Sequence, residues 1–164
     1  MVAVLGRQGV APAAPAEEAS LPWPEVGADL AAVDYSRPES VLRGFILAMH
    51  RGATAAAAAA GAAPDFAAIR ASEREAFAPF CTEKERPQGR SGSFGVPPAY
   101  SPDEALVEII PVNTRRDELV TRQGRDRSLR YECRYVLLRQ GARWLLDSRQ
   151  RRPLGQDGWS RAIL

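Results

Sequence analysis

Few residues in this 164-residue chain are of the types that do chemistry, and their spacing fits contact better than catalysis. His50 is the only histidine; it follows an apolar helical stripe and sits between Met49 and Arg51, which reads as a helix flank rather than a general base in an apolar pocket. Asp147 lies three residues after Trp144 in a strand-like run, so alternation places it on the opposite face from that tryptophan, paired with an arginine such as Arg134. Cys81 and Cys133 read as small, buried, reduced side chains rather than a disulfide framework. No metal-ligand spacing and no Ser/His/Asp arrangement is present, and the glycine-rich run from Gly89 to Gly95 is not followed by a helix, as a phosphate-binding loop would be. The expectation is a protein with no catalytic residue, no cofactor and no metal.

What the chain does offer is arginine. The net charge is +2. Residues 1 to 114 hold nine basic and fourteen acidic side chains, while residues 115 to 164 hold thirteen basic and six acidic. Every basic residue except Lys84 is an arginine, whose planar guanidinium contacts carboxylate or phosphate in a bidentate way. Such a basic region suits an acidic protein surface or nucleic acid. Nucleic acid is the weaker fit, because the aromatics of the final strands alternate onto the face opposite the arginines and leave no stacking platform beside them.

These side chains must be positioned by a short list of elements. Residues 1 to 34, rich in Ala, Pro and Gly, read as a mobile arm with Leu21, Trp23, Val26 and Leu30 as its candidates for docking on a domain spanning residues 35 to 164. A helix is expected from Ser36 as N-cap, with Pro38 and Glu39 in the first turn and Val41, Leu42, Phe45, Ile46 and Met49 forming the apolar stripe. The run Ala55 to Ala60 continues it, and Gly61 with Pro64 stops it. A second helix is expected from Asp65 to about Phe80, burying Phe66, Ile69, Phe77 and Phe80 and cut short by Pro79. A long polar loop from Thr82 to Asp103 comes next, then strands at Ala105 to Val112 and around Glu118 to Gln123. The last two strands, Leu129 to Leu138 and Arg143 to Gln150, turn at Gln140 and Gly141. In the first of these, Tyr131, Cys133, Tyr135 and Leu137 alternate with Arg130, Glu132, Arg134, Val136 and Leu138. Helices first and about four antiparallel strands after them make an α+β fold, with the helices on one face of a curved sheet. The start, Met1 to Val10, has no signal-peptide core, and no stretch approaches the roughly 18 apolar residues of a membrane span, so a cytoplasmic protein is expected.

Several short motifs together resemble a known family. Phe80-Cys81-Thr82-x-Lys84, Gly89-Arg90-x-Gly92-Ser93, Pro97-Pro98-x-Tyr100, Tyr131-x-x-Arg134-Tyr135-Val136-Leu137 and Trp144-x-x-Asp147 look like the NTF2-fold immunity proteins of bacterial polymorphic toxin systems, over about residues 36 to 160. The resemblance implies an NTF2-like cone and a non-catalytic role in binding and neutralising a cognate protein toxin. It also admits a homodimer through the sheet, as NTF2-like sheets often form. The alternative within the same superfamily is a small-molecule-binding domain or an isomerase or dehydratase, with a pocket lined by Tyr131, Tyr135 and Trp144.

For a toxin-facing surface the expected residues are Arg86, Arg90, Phe94 and Tyr100 in the loop, with Arg130 and Arg134 on the outer sheet face. Arginine and aromatic residues are the types most enriched at interface hot spots. Phe94 and Tyr100 have a second reading, as core residues that plug the open end of the cone.

Overall fold

The computed structural model describes residues 19–59, 66–85, 99–123 and 130–164. The expectations placed on Arg86, Arg90 and Phe94, on the stop at Gly61 and Pro64, on the side chains of Phe66 and Ile69, and on residues 1–18 lie outside the described residues.

Helix α1 (Pro38–Ala59) starts on Pro38, whose missing N–H would have had no partner in a first turn. Its first helical bond runs from Val41 N–H to the Arg37 carbonyl, so Arg37, not Ser36, is the N-cap. The reason is local: the Asp34 carboxylate accepts both the Ser36 N–H (2.9 Å) and the Ser36 hydroxyl (2.6 Å) in an Asx-type turn, which engages the hydroxyl before it can cap. The apolar stripe is as expected, with Val41, Leu42, Phe45 and Ile46 fully buried and Met49 packed at the margin. Gly44 lets this helix approach its neighbours, since a Cβ there would stand 2.7 Å from Val33 Cγ2 and 2.8 Å from Phe80 Cε1. Helix α2 (Phe66–Phe77) stops short of Pro79, which disfavours helical geometry in the residue before it. Phe45 then meets Phe77 and Phe80 edge-on, with ring centroids 5.8 and 6.3 Å apart.

The sheet is an antiparallel meander in chain order, β1 (Ala105–Asn113), β2 (Arg116–Arg122), β3 (Tyr131–Gln140), β4 (Arg143–Pro153) and β5 (Ser160–Ala162). The α+β order read from the sequence is therefore present, with five strands rather than about four. The fifth was missed because Ser160-Arg161-Ala162 carries no alternation of its own; it forms by pairing on Arg149 to Arg151 of β4. The core lies between α1 and one sheet face, where Leu106, Leu119, Cys133, Tyr135, Leu137, Trp144 and Leu146 are buried. Both cysteines are buried free thiols. Upstream, Leu21 donates its N–H to the Leu106 carbonyl, Trp23 donates its indole N–H to the Glu104 carbonyl at 2.7 Å, Val26 is buried, and Leu30 packs at the core margin.

One irregularity reverses the facing of β4 partway along its length. Val136 faces Ser148 while Leu137 faces Leu146, so Asp147 is the extra residue of a β-bulge. Before the bulge Trp144 and Leu146 point into the core; after it the inward residue is Arg149. The expected pairing of Asp147 with Arg134 is overturned by the same displacement. Asp147 instead accepts from the Thr82 hydroxyl (3.1 Å) and from Lys84 Nζ (2.6 Å). The backbone joins the same two segments, with Leu146 N–H on the Phe80 carbonyl and Thr82 N–H on the Leu146 carbonyl. Two motifs distant in sequence, Phe80-Cys81-Thr82-x-Lys84 and Trp144-x-x-Asp147, thus meet in space.

Candidate functional site

Two polar assemblies are built on the sheet, one on each face. The inner one centres on Arg149, which the bulge turns toward the core and which is only 7% exposed. Its Nη2 donates to Cys133 Sγ at 3.1 Å, and its guanidinium lies over the rings of Tyr100 (4.8 Å) and Tyr135 (5.5 Å). Glu104, fully buried where the chain enters β1, accepts from the Thr121 hydroxyl (2.5 Å) and from the Tyr135 hydroxyl (3.1 Å) through one carboxylate oxygen. Its other oxygen, the Tyr100 hydroxyl and Arg149 Nε are buried and make no hydrogen bond of normal geometry among the described residues.

Burial governs the protons here. It pushes the Tyr100 hydroxyl up to about 12, against the pull of Arg149, and it raises Tyr135 well beyond a normal tyrosine. The Cys133 thiol is likewise raised by burial, with Arg149 opposing. Burial opposes the Arg149 charge, but Tyr135, Tyr100 and Cys133 as they lose their protons, together with Glu104, outweigh it and raise the guanidinium well above an ordinary arginine. At neutral pH the two tyrosines and the thiol keep their protons and Arg149 keeps its charge. None of these four groups is poised to exchange a proton, as an acid or base catalyst would be. His50 sits outside this cluster, with Nδ1 3.0 Å from the Tyr100 carbonyl oxygen, and ties that segment to α1. Among the described residues no group of three His, Cys, Asp or Glu side chains could hold a metal ion, and no helix is long and apolar enough to cross a membrane.

The outer face carries the second assembly. Arg122 donates to one oxygen of Glu132 at 2.9 Å and Arg152 to the other at 2.8 Å, so a 7%-exposed carboxylate is gripped from both sides. Burial raises the Glu132 carboxyl, but the hydrogen bonds from the two arginines outweigh it and hold the group below the ordinary carboxylate range. Next to it, Arg134 Nε donates to Gln150 Oε1 at 2.8 Å, and its Nη1 lies 3.6 Å from Glu118. Trp159 lies against both layers, its ring 4.7 Å from the Arg134 guanidinium and 4.4 Å from that of Arg152. Beneath these long side chains Val120 and Val136 are buried although no helix among the described residues covers this face.

Of the residues singled out in the sequence, Arg134 stands within this outer network, and Arg130 at its edge sends Nε to 3.5 Å from the Gln123 carbonyl. Tyr100, expected on a partner-facing loop, is a core residue that packs edge-on against Phe45 at 5.2 Å and has no accessible ring face to offer. The structure brings Tyr135 and Trp144 into one core, whereas Tyr131 is half-buried under Arg151, whose guanidinium lies 5.1 Å from the Tyr131 ring. Glu104, Thr121, Trp159 and the inward, buried placement of Arg149 were not found from sequence. Arg149 opens the polar run Arg149-Gln150-Arg151-Arg152, which reads as solvent-facing, and nothing in the spelling of β4 announces the bulge.

Comparison with known proteins adds an independent finding. A family model described as NTF2 fold immunity protein matches residues 37–162, from the start of α1 to the end of β5. The immunity protein RhsIA of Dickeya dadantii (strain 3937) is 37% identical over 82 residues, which cover 49% of this chain and 58% of that relative. The match therefore spans somewhat more than half of the relative's length. No solved structure matches.

Proposed function

Because the chain belongs to the family of NTF2 fold immunity proteins, we propose that it is a non-catalytic binding protein that captures a cognate bacterial toxin and neutralises it in the cytoplasm of the cell that makes it. The observation that carries this reading is the family match across both helices and all five strands. Two others support it: similarity to a relative named an immunity protein, and an interior whose tyrosines, thiol and arginine are fixed in one protonation state near neutral pH. On this reading the loop residues Arg86, Arg90 and Phe94 face the toxin, with Arg130 and the Arg134–Trp159–Arg152 stack extending the contact onto the sheet. Arginine and tryptophan held rigid in advance are economical binding groups, because little rotamer freedom is left to lose on association.

Co-expression with the toxin-like product of the adjacent gene tests the proposal. Rescue of growth with co-purification of the two proteins is the expected outcome; neither rescue nor a complex would overturn it. A second reading rests on one observation, the three buried polar atoms of Tyr100, Glu104 and Arg149 that make no hydrogen bond of normal geometry among the described residues. Buried polar groups are normally satisfied, and on this reading an interior polar molecule completes them. That reading predicts that a small polar compound raises the melting temperature of wild type but not of an Arg149→Met variant.

A further inference from the structure

Most sheet arginines are already engaged within the molecule. Arg116, Arg122, Arg134 and Arg152 pair with carboxylates, Arg143 lies 4.2 Å from the Tyr35 ring, Arg151 stacks on Tyr131, and Arg149 is buried. Two that are not engaged stand side by side where the β1–β2 and β3–β4 turns meet. The Arg139 N–H donates to the Arg115 carbonyl at 2.9 Å, which binds the end of β3 to the β1–β2 turn. Both side chains are exposed, and neither guanidinium has a carboxylate or a ring partner among the described residues. Together with Thr114, Gln140 and Gly141 they line an open cleft of about 530 Å³.

We propose that this cleft is the docking site for an acidic segment of the partner toxin, with Arg115 and Arg139 each receiving a carboxylate. The inference rests on the immunity reading and specifies which surface, and which chemistry in the partner, that reading uses. Charge complementarity argues for it. Both guanidiniums line one cleft, so an arriving pair of carboxylates gains bidentate hydrogen bonds with no internal ion pair to break first. At the Glu132 network, by contrast, a partner carboxylate would have to displace one that is already bound on both oxygens. A protein carboxylate fits better than nucleic acid: the cleft has no aromatic for base stacking and only two cations, whereas a strand is held by a longer basic track.

The test is capture of the adjacent gene's toxin by wild type, by an Arg115→Glu/Arg139→Glu double variant and by Arg161→Glu, an exposed arginine at the far end of the sheet. The inference expects the double variant to bind at least about 100-fold more weakly with an unchanged circular-dichroism spectrum, and Arg161→Glu to bind within about threefold of wild type. Undiminished capture by the double variant, beside capture by wild type, overturns the cleft and leaves the immunity reading standing. An equal loss in Arg161→Glu overturns it in favour of diffuse charge attraction. Toxin capture unaffected by the double variant, together with salt-dependent binding of single-stranded DNA that the variant abolishes, assigns the cleft to nucleic acid instead. Failure of wild type to bind the toxin overturns the immunity reading and this inference with it.

Discussion

The outer sheet face and the meeting point of the two hairpin turns are both built with arginine and use it in opposite ways. On the face, Arg122 and Arg152 close on Glu132, and Arg134 is held by Gln150, Glu118 and the Trp159 ring. At the turns, Arg115 and Arg139 are held near one another by a backbone bond and are left without a counter-charge among the described residues. The difference teaches that composition alone cannot rank arginines as binding groups. A guanidinium whose N–H groups are spent on internal carboxylates contributes to the fold and offers a partner its stacked face at most, while one without them adds little to the fold and is free to take a carboxylate.

Substitutions can break this contrast or sharpen it. The largest effect is expected at Arg149, which stands for the extreme of internal use. Arg149→Met removes a buried charge while leaving Glu104 in place, and should cost about 3–5 kcal/mol in urea denaturation; a loss below about 1 kcal/mol would show that the inner cluster does not depend on its cation. Next comes Glu132→Gln, with an expected cost of about 2 kcal/mol at neutral pH from weakened charge-assisted hydrogen bonds. Its pH dependence has a definite sign. The folded carboxyl is held below its unfolded value of about 4.5, so the stabilisation is present above that pH and is lost as pH falls through the lower folded value. The melting temperatures of wild type and Glu132→Gln should therefore converge in acid; a gap that persists unchanged at about pH 2 would contradict the assignment. A smaller effect, about 1 kcal/mol, is expected for Arg134→Ala, through lost packing on Trp159 as much as lost charge. The smallest is expected for the pair Arg115→Ala and Arg139→Ala, within about 0.5 kcal/mol of wild type. A large loss there would erase the contrast.

Much of the architecture was legible in the sequence because its signals are periodic. The stripe Val41, Leu42, Phe45, Ile46 and the alternation through Cys133, Tyr135 and Leu137 each fix an element and its buried face. The features that escaped are the non-periodic ones. Ser36 has the residue type of a cap, but Asp34 competes for its hydroxyl. Strand β5 exists only through its neighbour, and the Asp147 bulge inverts the alternation halfway along β4. The candidate site was less legible than the fold for the same reason. Arg134 was placed on the outer face by simple alternation, whereas Arg149 and Glu104 are assembled by a bulge and by the entry to β1. Whether a given arginine is engaged depends on residues distant in sequence, as with Glu132 between Arg122 and Arg152.

The bulge also bears on the order in which the chain can settle. A hairpin joined by a tight turn forms early, because its contacts are local, but a slip of one residue exchanges the faces of everything beyond the slip. Up to Leu146 the hydrophobic pattern polices the pairing; past it, the residue that must go inward is charged, and pattern alone gives no instruction. The missing instruction arrives from Thr82 and Lys84, the latter 63 positions upstream, which hold Asp147 out of the ladder. The last hairpin is thus a lock whose key is cut near the end of α2: its near half can close alone, and its far half is committed only when that earlier segment has docked. An Asp147→Ala variant should refold with a normal early phase and a slowed final one.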